Sequence, residues 1–209
     1  MTGPDGGERL VLAGITVPAL GSRLVPLQRG EAPADASPFR VKGNRVDTPH
    51  LSVHFASDGS IASCVLKANG RELVGAGGAL NQFWLGEDVP AAWDNWDIDS
   101  DQRLKMALTG SMFWRQVVAD GPLQLRVRSE YQLTGSSRLV QDMVFHADSP
   151  RLDFETRLEW ADKRQLLKAV FDLDLLVDNA RHEIQFGHLE RPVHANLPQD
   201  RARFEVCAH

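Results

Sequence analysis

A chain of 209 residues that is 43% hydrophobic and 24% charged has the apolar supply and surface charge of a folded protein, and it can bury most of its unfolded-chain surface without a metal or a disulfide framework. Its 23 Lys plus Arg against 28 Asp plus Glu give a net charge of -5, the wrong sign for a phosphate-tracking surface, which excludes nucleic acid as the expected partner. No apolar run is long enough to cross a bilayer, and Met1 to Leu10 lacks the basic and apolar regions of a signal peptide, so the expectation is a cytoplasmic protein without a membrane partner.

In chain order, Leu10–Val17 and Arg23–Leu27 read as two short strands within a β segment over residues 1–30, and the Pro- and Ala-rich residues 31–38 read as a linker to a domain over 39–209. Leu51, Val53 and Phe55 alternate with Ser52 and His54, the period of a half-buried strand. Asp58-Gly59, Asn69-Gly70 and the turn-rich stretches 119–122 and 134–137 separate such segments as hairpin turns do. Leu123, Leu125 and Val127 alternate with Gln124, Arg126 and Arg128. The clearest case sets Leu152, Phe154, Thr156, Leu158 and Trp160 against Asp153, Glu155, Arg157 and Glu159. Residues 162–177 carry a competing helical signal, but apolar residues recurring at Val170, Phe171, Leu173 and Leu175 assign them to strand. Arg201–Ala208 is a strand pattern that stops at His209, as expected of a truncated or processed fragment. The pattern predicts an all-β fold, antiparallel throughout.

Cys64 and Cys207 lie in strand-like apolar runs, read as reduced core residues, and without a CxxC there is no zinc knuckle. Asp97, Asp99 and Asp101 imitate the start of an EF-hand loop, but Gln102 replaces its glycine and Leu108 its bidentate glutamate, which leaves solvated turn residues. His146 and Asp148 have ligand spacing without a third ligand and read as a strand-end histidine beside a turn. Gly75–Gly78 lacks the ensuing helix of a phosphate loop and reads as a tight turn, and no G-x-S-x-G announces a nucleophile. What remains is Trp84 with the segment 88–99 (DVPAAWDNWDID), where aromatics and carboxylates share one loop. Indole faces cover the C–H face of a sugar ring and carboxylates accept from vicinal hydroxyls. The competing reading has the tryptophans plugging the core and the aspartates capping backbone N–H groups.

That segment resembles the D-x-P-x-x-W-D-A-W-D-I run of glycoside hydrolase family 38 α-mannosidases, with Asn95 at the alanine. In order along the chain, Val17–Gly21 is similar to the family's V-P-A-L-G-Y segment with Ser22 at its aromatic. Residues 51–73 are similar to its strand, D-G turn, strand and R-E-L run. Trp160–Phe171 resembles W-x-E-x-x-K-x-L-K-x-x-F, with Asp162 at the acidic position, and 185–196 with 204–206 resemble Q-F-G-x-x-x-R-P-x-H-x-N and F-E-V. The resemblance is to the region after the catalytic barrel, and it implies a galactose-mutarotase-like β-sandwich from a retaining, metal-dependent α-mannosidase. The divalent ion, usually zinc, and the nucleophile would lie in an upstream domain, so the chain itself would hold no metal, no cofactor and no catalytic residue. The implied partners are α-mannoside glycans and that N-terminal catalytic domain, with self-association left open. Trp93, Asp94, Trp96, Asp97, Arg191 and His194 are the candidate substrate-binding residues, stacking faces with hydroxyl acceptors and donors. An autonomous carbohydrate-binding module and a structural or assembly scaffold are the alternatives, the scaffold requiring Trp93 and Trp96 to be buried.

Overall fold

The computed structural model describes residues 6–7, 10–27, 36–94, 98–99, 101–194 and 196–198. Its first strands are Arg40–Lys42 (β1), Arg45–Asp47 (β2), Leu51–Phe55 (β3), Ile61–Leu66 (β4), Arg71–Glu72 (β5) and Leu80–Glu87 (β6). A one-turn helix, Gln102–Lys105 (α1), precedes Ala107–Thr109 (β7), Ser111–Asp120 (β8), Gln124–Gln132 (β9), Arg138–His146 (β10), Leu152–Glu159 (β11) and Gln165–Phe171 (β12). Asn179–Ile184 (β13) and Gly187–Pro192 (β14) form a separate hairpin. The larger sheet runs β1-β2-β3-β4-β6-β12, with β5 on β4 and β7 on β6, and the smaller one runs β11-β10-β9-β8. Every pairing between these strands is antiparallel.

Period-two alternation gives each sheet one apolar face, and the two faces close on each other as a sandwich. Val46, Leu51, Val53, Phe55, Ile61, Cys64 and Leu80 of the larger sheet meet Leu125, Val127, Met143 and Phe145 of the smaller one. A second cluster joins Phe83 of β6 to Tyr131, Leu133 and Leu139, with the Phe83 and Tyr131 rings edge to face at 5.0 Å. Between the sheets runs a polar bridge. Asn81 Nδ2 donates to Gln141 Oε1 at 2.7 Å, and Gln141 Nε2 donates to Thr156 Oγ1 at 2.9 Å. Asn81 and Gln141 are each 2% exposed. Asn81 sits at φ 60, a conformation that asparagine tolerates better than most residues.

On its other face the smaller sheet carries Arg126 and Arg128 of β9, Asp142 of β10 and Glu155 of β11. Arg128 Nε donates to Asp142 Oδ1 at 2.6 Å, and Arg126 forks onto both oxygens of Glu155 at 2.7 and 3.0 Å. Carboxylates this close keep both guanidinium pKa values above their ordinary range, chiefly through the hydrogen bonds from Arg126 to Glu155 and from Arg128 to Asp142.

The expected strands over 10–27 are not formed. The described hydrogen bonds there are Gly21 N to Pro18 O at 3.1 Å and Arg23 Nη1 to Thr16 O at 3.3 Å, and Leu10, Leu12, Ile15, Val17, Leu20, Leu24 and Leu27 are exposed. Alternation makes a strand only where a neighbouring chain supplies the ladder. The strand pattern at 201–208 and Cys207 lie outside the described residues. Cys64 is a free thiol in the core, and burial pushes its pKa up to about 11, with the Glu72 charge adding to the rise.

Glu72 fastens β4 to β5. Its Oε1 accepts from the amides of Cys64, Leu73 and Val74 at 2.7, 2.9 and 3.0 Å, and its Oε2 from Ser63 Oγ at 2.5 Å. Burial alone would push this carboxyl up, but the four donors together hold it below its usual value. The stability it contributes is present above the unfolded pKa near about 4.3 and is lost as pH falls through the folded value. Glu72→Gln should therefore be less stable at pH 7 and show a flatter acid limb in denaturant midpoints between about pH 6 and 3 than the parent; parallel limbs would contradict this. Gly59 turns at φ 90, and a Cβ there would lie 2.5 Å from Tyr131 OH and 2.9 Å from Met112 Sδ. Tyr131 is buried and cannot retreat, so Gly59→Ala should cost on the order of 2 to 4 kcal/mol in urea unfolding.

Candidate functional site

The segment of tryptophans and aspartates leaves the end of β6 and returns across the outer face of the same strand. Gly86 makes that return feasible: a Cβ there would stand 2.8 Å from the Lys105 carbonyl oxygen and 2.7 Å from Met106 Sδ. On the way out, the Asp88 amide donates to Arg164 O at 2.8 Å, which ties the departure to the turn before β12. Asp99 then spans the loop, both carboxylate oxygens standing 3.2 Å from the Ala91 amide they accept. The Gln102 amide donates to Asp99 O at 2.9 Å, and Gln102 Nε2 donates to Glu87 O at 2.8 Å. Gln102 is 3% exposed, the buried residue of α1. Lys105 pairs with Asp101 one turn back at 3.3 Å.

Trp93 stands on this loop at φ 57 and is 75% exposed. A bulky side chain in left-handed backbone is a local strain of about 1 to 3 kcal/mol that only a constraining surround maintains. Asp94 beside it is exposed. Trp93 is therefore no plug of the core. Trp96 and Asp97 lie outside the described residues. Arg191 belongs to the hairpin, opposite Ala180. It is half-buried, with a sequestered Nε that has no hydrogen-bond partner, and it makes no hydrogen bond to Trp93 or Asp94. His194 follows β14 on the surface. The described parts of the loop, 88–94 and 98–99, are thus tied to β6, whereas Arg191 and His194 stand on or beside strands that, among the described residues, pair only with each other. Trp84, on β6 opposite Leu108 and Lys168, is half-buried and its indole N–H is sequestered without a partner.

The string at 97–101 serves structure where it is described, with Asp99 bracing the loop and Asp101 preceding α1. His146 ends β10 and pairs through Nε2 with Asp153 Oδ2 at 2.8 Å. Asp153 also receives Arg151 Nε at 2.6 Å; burial would raise its carboxyl pKa, but the Arg151 and His146 hydrogen bonds hold it below the usual range. Gly78 closes the expected tight turn, its amide donating to Gly75 O at 2.9 Å. Among the described residues no group of three or more His, Cys, Asp or Glu could hold a metal ion, and no helix is long and apolar enough to cross a membrane.

Residues 46–209 match the family description "Glycosyl hydrolases family 38 C-terminal domain". The chain is 34% identical over 213 residues to human "Alpha-mannosidase 2C1", covering 99% of the chain and 20% of that relative. It is 35% identical over 171 residues to "Alpha-mannosidase G" of Dictyostelium discoideum, covering 78% of the chain and 16% of that protein. The chain thus spans about a fifth of the length of these curated relatives. Among solved structures, an alpha-mannosidase from Enterococcus faecalis V583 superposes with a TM-score of 0.63 over 81% of the chain and 22% of its own, at 12% identity, a likeness of fold.

Gly86, Asp99 as a brace and Gln102 are the site residues that sequence reasoning missed. A glycine inside a strand is the one available signal, since it marks close approach of another backbone. Gly86→Ala should lift residues 102–106 off β6, costing about 1 to 3 kcal/mol of stability and accelerating tryptic cleavage at Arg103 and Lys105. Unchanged cleavage would show that the segment is held elsewhere.

Proposed function

The chain belongs to glycosyl hydrolase family 38, whose C-terminal domain it carries, and from that membership we propose that it is the β-sandwich of a retaining, metal-dependent α-mannosidase acting on terminal α-mannosides. In this reading the sandwich is not the catalytic element. It seats against the catalytic domain of the same polypeptide and lines one wall of the sugar cleft with the loop 88–99 and the segment 191–196. The observation that carries the reading is the exposed Trp93, held in left-handed backbone on a braced loop where a core plug would be sealed.

Chemically, the Trp93 indole offers a face to the C–H side of a pyranose, and Asp94 accepts from its hydroxyls. Arg191, half-buried on the hairpin, brings a guanidinium that donates, and His194 adds a ring that donates or accepts. Trp96 and Asp97 join the same proposal from outside the described residues. Retaining hydrolysis takes a nucleophile and an acid/base carboxyl roughly 5 to 5.5 Å apart, and neither role is assigned to this chain. In this reading the zinc belongs to the rest of the polypeptide; among the described residues no group of three or more His, Cys, Asp or Glu could hold it. The free core thiol of Cys64 favours a reducing, cytoplasmic setting.

In the full-length enzyme, Trp93→Ala should lower kcat/KM for an α-mannoside by about 1 to 3 kcal/mol, roughly 5- to 150-fold, while the melting temperature stays nearly constant. The opposite pattern, a large loss of melting temperature with unchanged kinetics in the folded enzyme, would return the loop to a structural role.

A further inference from the structure

We propose that Asp99 and Gln102 are positioning residues for the sugar-binding loop: the Asp99 carboxylate on the Ala91 amide and the Gln102 side-chain amide on the Glu87 carbonyl hold Trp93 and Asp94 where a sugar meets them. The inference rests on the cleft reading above. Neither residue need touch sugar.

The chemistry of each contact fits a brace. Ala91 lies two residues before Trp93, and its amide faces both oxygens of one carboxylate at 3.2 Å, a charge-assisted bond that crosses the loop. Gln102 closes the other end. Its own amide reaches Asp99 O, and its Nε2 reaches Glu87 O, the last residue of β6. With Gly86 giving α1 its clearance and Asp88 tied to Arg164 O, the loop is fastened at its departure, its middle and its return. Loops lacking such ties populate many conformers, and ordering them on binding weakens affinity. Residues 91–94 held in this way, with Trp93 at φ 57, meet a ligand without that cost. The brace should therefore act on substrate binding and leave the chemical step alone.

The test uses the full-length enzyme with Asp99→Ala, Asp99→Asn, Trp93→Ala and the double variant Asp99→Ala/Trp93→Ala. Asparagine keeps one acceptor for the Ala91 amide and alanine keeps none. Expected are a 5- to 20-fold rise in KM with kcat within twofold for Asp99→Ala, values near the parent for Asp99→Asn, and no further rise when Trp93→Ala is added to Asp99→Ala. Hydrogen exchange of the peptide containing Ala91 should accelerate at least tenfold in Asp99→Ala and stay near the parent rate in Asp99→Asn. If Trp93→Ala raises KM while Asp99→Ala does not, the positioning role is wrong and the cleft reading stands. If Trp93→Ala leaves KM unchanged, the cleft reading fails and the positioning role falls with it, even where exchange shows an intact brace. Unaltered exchange in Asp99→Ala would remove the brace itself, whatever the kinetics. Gln102→Leu provides the second probe and should reproduce the KM rise.

Discussion

The buried amide bridge from Asn81 to Gln141 and on to Thr156 is the contact on which the rest of the structure depends. It joins β6 of the larger sheet to β10 and β11 of the smaller one through two groups that are each 2% exposed. Hydrophobic burial is non-directional and would tolerate sliding of one sheet over the other. A buried amide would not, because any slip leaves donors and acceptors desolvated at about 1 to 3 kcal/mol apiece. β6 is thereby registered against the opposite sheet, and β6 carries the site. It pairs with β7 and β12, offers Gly86 to the returning segment and releases the loop at Glu87.

A second directional constraint acts on the far side of the smaller sheet. Asp142 has no exposed surface and sits between Arg126 and Arg128. Removing one arginine would leave a buried carboxylate undercompensated, so the cluster is far costlier to break than a surface pair. It also specifies register. A one-residue slip of β9 against β10 would carry Arg126 and Arg128 into the core and Leu125 and Val127 out of it. Together the amide bridge and the ion cluster fix the smaller sheet from both faces, one across the core and one along the opposite face, where Asp142 and Arg126 are buried as well.

What the sequence made legible follows from the same division between pattern and partner. Alternation at 51–55, 123–128 and 152–159 and the turns at Asp58-Gly59 and Asn69-Gly70 are local, and each appears as read. Residues 10–27 carry the same alternation and form no strand, because pairing is a property of the neighbour and not of the segment. The amide bridge was invisible for the converse reason: Asn81 and Gln141 are 60 residues apart and neither departs from ordinary surface composition. In the loop, residue types pointed to sugar chemistry, while the brace depended on a carboxylate accepting from a backbone amide eight residues away. That contact becomes recognisable only once the chain is seen to return over Gly86.

Strain and support are coupled in this loop, and the coupling explains why an antiparallel sandwich is a suitable base for it. A tryptophan at φ 57 would relax in a free loop, since the left-handed conformation costs a bulky residue about 1 to 3 kcal/mol. Its persistence requires fixed points on both sides of Trp93 whose combined hold exceeds that cost. Ala91 supplies one through Asp99, and the return at Gln102 supplies the other through Glu87. Both anchors trace to β6, which the amide bridge holds against the second sheet. Rigidity thus passes outward from the strand through directional hydrogen bonds, the last of them the exposed tie of Asp99 to the Ala91 amide, two residues before Trp93.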